Sequence, residues 1–303
     1  MSERQEHHGV VLVDKEAGCT SHDVVAYARR IFQTKAIGHA GTLDPDATGL
    51  LVLLLGEATK MSDYILCGDK GYEVGVKLGI ETDTADISGQ VLSKCAVTVS
   101  NEQITTAILN LTGEILLLPP MYSAIKIKGK KLYELARKQE TVKLEPRPMR
   151  FYDLSIASIV EGEIKLKMRC SKGSYVRSWV TQLGKLLGCG ATVLSLRRTW
   201  SEPFLIDQAN SLDALKGREF DLKKVSSFIP LAECVPRWQL LIANLDEEKS
   251  LRNGKLHSSL SAHLFGDNAG NNIKVISQAS GKLISILSRD EANQVRIKRV
   301  FNY

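Results

Sequence analysis

No apolar run in this 303-residue chain approaches the roughly 20 residues a helix needs to cross a bilayer. The longest are Leu50 to Leu55 and Ile115 to Leu118. The N-terminal MSERQEHHGV holds no apolar stretch of about 7–15 residues, which argues against a secretory signal. The six cysteines, at 19, 67, 95, 170, 189 and 234, include no C-x-x-C pair, which disfavours zinc ribbons and thioredoxin-like sites. The histidines at 7, 8, 22, 39, 257 and 263 form no H-E-x-x-H. No G-x-G-x-x-G opens a helix after a strand, and no G-x-x-x-x-G-K-[ST] exists, so no nucleotide loop is expected. Free, mostly buried thiols in a reducing cytosol fit this pattern, and a cytoplasmic location without a membrane partner is expected.

What is present is near the globular average: 44% hydrophobic and 24% charged residues. That excludes wholesale disorder and fibrous classes, and the length suggests two domains. Net charge is +6. Its placement is more informative than its size. Residues 126–177 hold fourteen Lys/Arg against six Asp/Glu, while the rest of the chain carries 26 against 28. The excess spreads over a loop, a strand and a helix start rather than one helix face, which points to a surface for a polyanion.

The periodicity predicts a buried strand at 9–14, then a helix over 22–32 with an N-cap at Thr20-Ser21. Residues 37–49, rich in glycine, read as a loop. Strands follow at 50–55 and from Tyr72 to Leu78, with a helix at 57–66 between them. Ser100 and Gln103 form a capping box for a helix that Gly113 ends. A hairpin begins at 123–127 and a short helix covers 132–139. Ile164 to Cys170 alternate with Lys165, Lys167 and Arg169, a strand with one apolar and one basic face. A helix at 175–187 and a strand at 191–198 complete this half. From about 239 short strands predominate, at 273–276, 283–287 and 295–301. The interleaving is irregular, so the expected fold is α+β with a mixed sheet flanked by helices and loops, plus a small C-terminal β-rich domain. The boundary falls within 229–240.

Asp44-Pro-Asp-Ala-Thr-Gly is the most unusual stretch. An EF-hand would place a bidentate glutamate at its twelfth position, where Leu55 stands. A D-x-D-x-T phosphotransferase matches Asp44, Asp46 and Thr48 but should follow directly on a buried strand, and Ile-Gly-His-Ala-Gly-Thr-Leu does not read as one. A third chemistry is an aspartate nucleophile acting on a base or sugar without metal.

The surrounding sequence, GHAGTLDPDATGLLVLLLGEATK, resembles the signature of the bacterial TruB family of tRNA pseudouridine-55 synthases. So do VDKEAGCTSHDVV, DKGYEVGVKLGIETDTAD, PPMYSAIKIKGKKLYELAR, CSKGSYVRS and LGCGATVLSLRRT, in family order across residues 9–200. The last 65 residues are similar, less sharply, to the family's small PUA-like domain. The resemblance implies a pseudouridine-synthase-like catalytic domain over 1–232, with a thumb-like RNA-binding insertion at about 123–152, and a PUA-like RNA-binding domain over 239–303.

It also implies isomerisation of a T-loop uridine, position 55 of tRNA, without cofactor or metal; a monomer is expected, and no protein partner is implied. The alternative is a tRNA-binding or tRNA-folding protein in which catalysis is secondary. By resemblance Asp44 is the nucleophile, Arg177 its partner and Tyr72 the aromatic that stacks on the target base. His39 fills the space that flipped bases vacate, and Lys15 supports the Tyr72 strand and the site, counted with the substrate-binding residues. Lys126, Lys128, Lys130, Lys131 and Arg147 lie in the RNA-binding thumb. Glu16 stands where the family usually has proline, and Asp46 where an apolar residue is frequent; the latter is expected to face solvent. Taken one at a time, each residue also has an ordinary reading: a turn carboxylate, a basic helix start, a core tyrosine, a loop histidine or a surface lysine.

Overall fold

The computed structural model describes residues 7–123, 125–127, 129–138, 140, 142–215, 225–262, 272–290 and 294–303. The apolar run Gly9–Lys15 forms strand β1. Thr20 then caps helix α1 (Ser21–Ile31): its side chain accepts from the Asp23 amide while Asp23 returns a bond to the cap backbone. The segment expected to be free of regular structure opens on a short strand, β2 (Ile37–His39), which pairs with Leu53 to Leu55. Strand β3 (Thr48–Leu55) is almost wholly buried. A 3-10 turn (Gly56–Met61) leads into α2 (Ser62–Leu66), where one continuous helix was expected. The Tyr72 strand is β4 (Lys70–Leu78), followed by the small hairpin β5 (Ile80–Thr82) and β6 (Val91–Lys94).

Helix α3 (Asn101–Asn110) carries the expected Ser100–Gln103 box, and Gly113 opens strand β7 (Gly113–Leu117) rather than ending the helix. The hairpin β8 (Lys126–Ile127) and β9 (Lys130–Lys131) leads to α4 (Leu132–Arg137). Strand β10 (Arg147–Val160) pairs with β11 (Glu163–Cys170), and then come α5 (Val176–Leu187) and β12 (Ala191–Ser201). Short strands β13 (Phe204–Leu205), β14 (Asn210–Ser211) and β15 (Phe228–Pro230) close this half. The C-terminal part contains β16 (Gln239–Ala243), α6 (Leu245–Arg252), α7 (Ser258–Ala262), β17 (Asn272–Ser277), β18 (Leu283–Arg289) and β19 (Val295–Val300).

The main sheet runs β14-β1-β3-β12-β4-β11-β10-β7, with β2, β13 and β15 attached to it. It is mixed: β12 pairs antiparallel with β4 and parallel with β3. Strand β12 therefore lies between the strand that bears Tyr72 and the strand that leaves the acidic loop. Val74, Val76 and Leu78 alternate onto the face covered by α3 and α5, where Trp179, Val180 and Leu183 are fully buried.

Strand pairing bears on two expected boundaries. The basic insertion assigned to 123–152 ends earlier, because Arg147 to Phe151 pair with β7 and Met149 and Phe151 are buried in the main core. Strand β15, whose Ile229 and Pro230 pair with β1, lies inside the 1–232 span assigned to the catalytic domain.

The C-terminal sheet, β16-β17-β18-β19, buries Ala243, Leu251, Ile273, Val275 and Ile284 in a core of its own and shares a second cluster with the main sheet. Leu283, Ile286 and Phe301 pack in one buried cluster with Val10, Leu12, Leu50, Val52 and Met61. Phe301→Ala is therefore expected to destabilise the whole chain by about 3–5 kcal/mol. The three tryptophans lie at 179, 200 and 238, outside the small sheet. Urea unfolding followed by their fluorescence should move to lower denaturant in the variant. An unchanged tryptophan transition would show that the two parts unfold independently.

Candidate active site

The acidic loop is held by bonds to its backbone. Ser21 Oγ donates to the Leu43 carbonyl at 3.1 Å and accepts from the Leu43 amide at 2.8 Å. The Gly18 amide reaches the Pro45 carbonyl at 3.1 Å. Lys15, at the end of β1, is 1% exposed, and its Nζ donates to the carbonyls of Glu16, Pro45 and Ala47 at 2.9, 2.9 and 2.8 Å. Its three donors are spent inside the protein. Lys15, grouped above with the substrate-binding residues, fastens the Asp44 loop to the strand before it through these carbonyls. Burial pulls its pKa down from the usual lysine value, against the opposing charges of Cys19, Asp46 and Asp44.

This frame presents Asp44 to Arg177, the second residue of α5. Nε of Arg177 lies 3.0 Å from Oδ2 and Nη2 lies 3.2 Å from Oδ1, a two-point contact. The guanidinium side chain is only 7% exposed and the carboxylate 36%. Arg177 is oriented by two more acceptors, the Tyr122 carbonyl at 2.8 Å from Nη2 and the Thr84 carbonyl at 3.2 Å from Nη1. The Asp44 pKa is nevertheless raised above the ordinary aspartate value. Burial is the largest cause, Arg177 opposes it, and Asp86 adds repulsion. Asp46 is exposed, as expected from its position.

Tyr72 sits on β4 opposite Met168 on one side and Arg198 on the other. Its ring packs against two buried clusters, one with Val74, Val76 and Trp179 and one with Val11, Val13 and Leu51. Burial pushes the phenol up to about 12. At neutral pH only about one molecule in 10⁵ would carry a phenolate, so the side chain offers a ring face rather than a base. His39, on β2, is half-buried, its Nδ1 has no hydrogen-bond partner, and burial lowers its pKa, so it is neutral at pH 7.

Lys126, Lys130 and Arg147 are exposed. Lys128 lies outside the described residues; Lys131 is placed by its backbone in β9. Arg147 is close enough to act electrostatically on Tyr175, the residue that precedes α5, as Asp44 and Arg177 also do. The basic face of β11 is different. Lys167 pairs with Glu73 at 3.0 Å and Arg169 with Asp153 at 3.2 Å. Alternation puts these side chains on the sheet face opposite Tyr72, Val74 and Val76, so they do not extend a phosphate track toward Asp44.

Arg198 did not stand out in the sequence as a site residue. It lies next to Arg197, and no signal within LSLRRT separates the two. Alternation along β12 does so in the structure. Arg197 forms a two-point pair with Asp14, at 3.0 and 2.6 Å. Arg198 is 1% exposed and directed into the loop beside Asp44.

A family model described as "TruB family pseudouridylate synthase (N terminal domain)" matches residues 29–176. The tRNA pseudouridine synthase B of Bdellovibrio bacteriovorus is 39% identical over 307 aligned residues, covering 100% of both proteins. That of Aromatoleum aromaticum is 47% identical over 208 residues, 69% of this chain and 68% of that protein. Among solved structures, a chain from a Cbf5-Nop10-Gar1 complex superposes with a TM-score of 0.70 at 22% identity, covering 97% of this chain and 84% of that one, a likeness of fold. With a full-length relative at this identity, and with Arg177 of α5 paired to the acidic loop beside the sheet that bears Tyr72, the chain belongs to the TruB family of tRNA pseudouridine synthases, isomerases that modify tRNA.

Proposed function

We propose that this enzyme acts on the uridine at position 55 in the T-loop, with Asp44 as nucleophile, Arg177 holding and charging it, and Tyr72 stacking on the target base. The reaction breaks the glycosidic C–N bond, turns the uracil and joins it to the ribose through C5, whose hydrogen is lost. A base inside a stacked loop must be flipped out for this chemistry. The observation that carries the reading is the two-point Arg177–Asp44 contact, in which a partly accessible carboxylate is fixed by a buried cation. Tyr72 gives the flipped base an aromatic wall, and neutral His39 lies on the strand that leads into the loop.

The free energy for flipping comes from phosphate and shape contacts, supplied by the basic insertion ending before β10, by Arg147 and by a PUA-like C-terminal unit. In the last of these Arg296, Lys298 and Arg299 are exposed on β19. Neutralising Lys126 and Lys130 together should weaken tRNA binding and flatten its salt dependence. Each lost phosphate contact lowers the slope of log K against log salt by about 0.7–0.9. A titration at several salt concentrations checks this, and an unchanged slope would mark both lysines as solvated surface.

The reading is tested by tritium release from a T-arm hairpin labelled at C5 of the position-55 uridine alone. Release in proportion to enzyme turnover supports it. Tight binding with no release would instead support the alternative, a tRNA-folding protein with catalysis secondary.

A further inference from the structure

We propose that Arg198 is a positioning residue for this reaction: it locks the Asp44 loop to the Tyr72 strand so that carboxylate and ring address the same base. This rests on the reading above of Asp44 and Tyr72 as the acting pair.

The backbone of Arg198 occupies a junction. In β12 it is in register with Tyr72 of β4 on one side and with Gly49 of β3 on the other. The register shift between Arg198 and Trp200 marks a bulge at this point, a feature that re-aims side chains. The guanidinium then binds both ends of the loop. Nε donates to the Leu50 carbonyl at 2.7 Å, Nη2 to Gly41 at 3.0 Å and Nη1 to Thr42 at 3.4 Å. Residues 41–42 enter the segment that bears Asp44 and residue 50 leaves it, so one rigid planar group fixes the span between them. The charge of the same side chain acts on the Tyr72 phenol, opposing the upward pull of burial on its pKa.

Glycines keep the approach open. Gly49 has φ +99 and Gly41 φ +104, a region that disfavours side chains, and a Cβ on Gly49 would collide with the Arg198 backbone. Among the described residues no carboxylate pairs with Arg198; its acceptors are the carbonyls of Gly41, Thr42 and Leu50. A buried cation without a counter-ion is expensive to keep. Plain loop anchoring needs no charge, and Lys15 already ties the middle of the loop. The donors of a guanidinium in a fixed fork reach three carbonyls on the two sides of the loop together; an ammonium has three donors at one point and cannot span the same groups.

The test uses full-length Arg198→Lys and Arg198→Ala proteins beside wild type, on the T-arm hairpin. Single-turnover experiments separate a rate constant from an amplitude. A positioning role predicts that the rate constant falls at least about tenfold in Arg198→Lys and about a hundredfold in Arg198→Ala, with hairpin affinity changed less than about threefold. Added guanidinium ion should restore several-fold of the Arg198→Ala rate and leave Asp44→Asn unaffected. Hydrogen exchange at amides 41–50 should quicken in Arg198→Lys without any RNA present. A purely structural role predicts a smaller active fraction with a wild-type rate constant and no rescue, which overturns the proposal. If Arg198→Ala does not fold, the Arg198→Lys rate constant and exchange decide the matter. An active wild type with unaffected variants rejects the role of Arg198 alone, whereas an inactive wild type rejects the underlying functional reading and this role with it.

Discussion

Asp44→Asn is expected to abolish pseudouridine formation while leaving tRNA affinity within about tenfold, or about 1.4 kcal/mol. The substitution keeps the shape of the side chain and one oxygen that can accept from Arg177. It removes the negative charge and the nucleophilic oxygen pair. Loss of a nucleophile costs on the order of 10⁴-fold or more in turnover. The fold should survive, because Arg177 keeps its bonds to the Tyr122 and Thr84 carbonyls and the loop keeps those from Lys15 and Ser21. Binding should survive because the exposed cations, Lys126, Lys130 and Arg147, are elsewhere. The check is turnover of a T-arm hairpin by asparagine protein shown by mass spectrometry to be free of deamidation, with affinity measured in parallel. Measurable turnover by that protein would remove Asp44 from the chemistry.

Much of this could be read from the chain because the signals were local. Ser100 and Gln103 specify a helix start by themselves, and the same reciprocal bonds appear in the structure. Asp44 and Arg177 were picked out by resemblance, 133 positions apart, and are in two-point contact. What escaped depended on non-local packing. Strand β10 shifts register twice against β11, near Tyr152 and Ser158, and Asp153 has φ +51, so its period-two pattern is broken where a reader would look for it. Lysine is a surface residue by habit, and only the convergence of three carbonyls from the neighbouring loop makes Lys15 a buried one. Arg197 and Arg198 differ by which face of β12 each takes, a distinction that needs the register with β3 and β4. The shared core of the two sheets is likewise invisible to composition, since Phe301 meets Val10 and Leu12 from the opposite end of the chain.

Arg177→Lys should be far from conservative. A guanidinium holds both carboxylate oxygens in one plane, whereas an ammonium is a single mobile charge. The lysine variant keeps a cation near Asp44 but loses its orientation, so turnover should fall by roughly tenfold to a thousandfold with little change in tRNA affinity. Arg177→Ala differs in kind. Asp44 already has a raised pKa because burial outweighs its partner. Removing the partner leaves burial and the Asp86 charge unopposed, and the pKa rises further. On the proposed role of Asp44 the active form is the ionised carboxylate, so activity should be present above this pKa and lost as pH falls through it. The wild-type acid limb should therefore lie above the ordinary aspartate value of 3.8.

The most direct test of Asp44 as an ionised nucleophile governed by Arg177 is the single-turnover rate against pH for wild type, Arg177→Lys and Arg177→Ala on one T-arm hairpin. The account predicts a slower Arg177→Lys with its acid limb nearly unmoved, and a slower Arg177→Ala with its limb displaced to higher pH. Wild-type rates and an unmoved limb in both variants would contradict it, and would leave Arg177 as part of the RNA-binding surface alone.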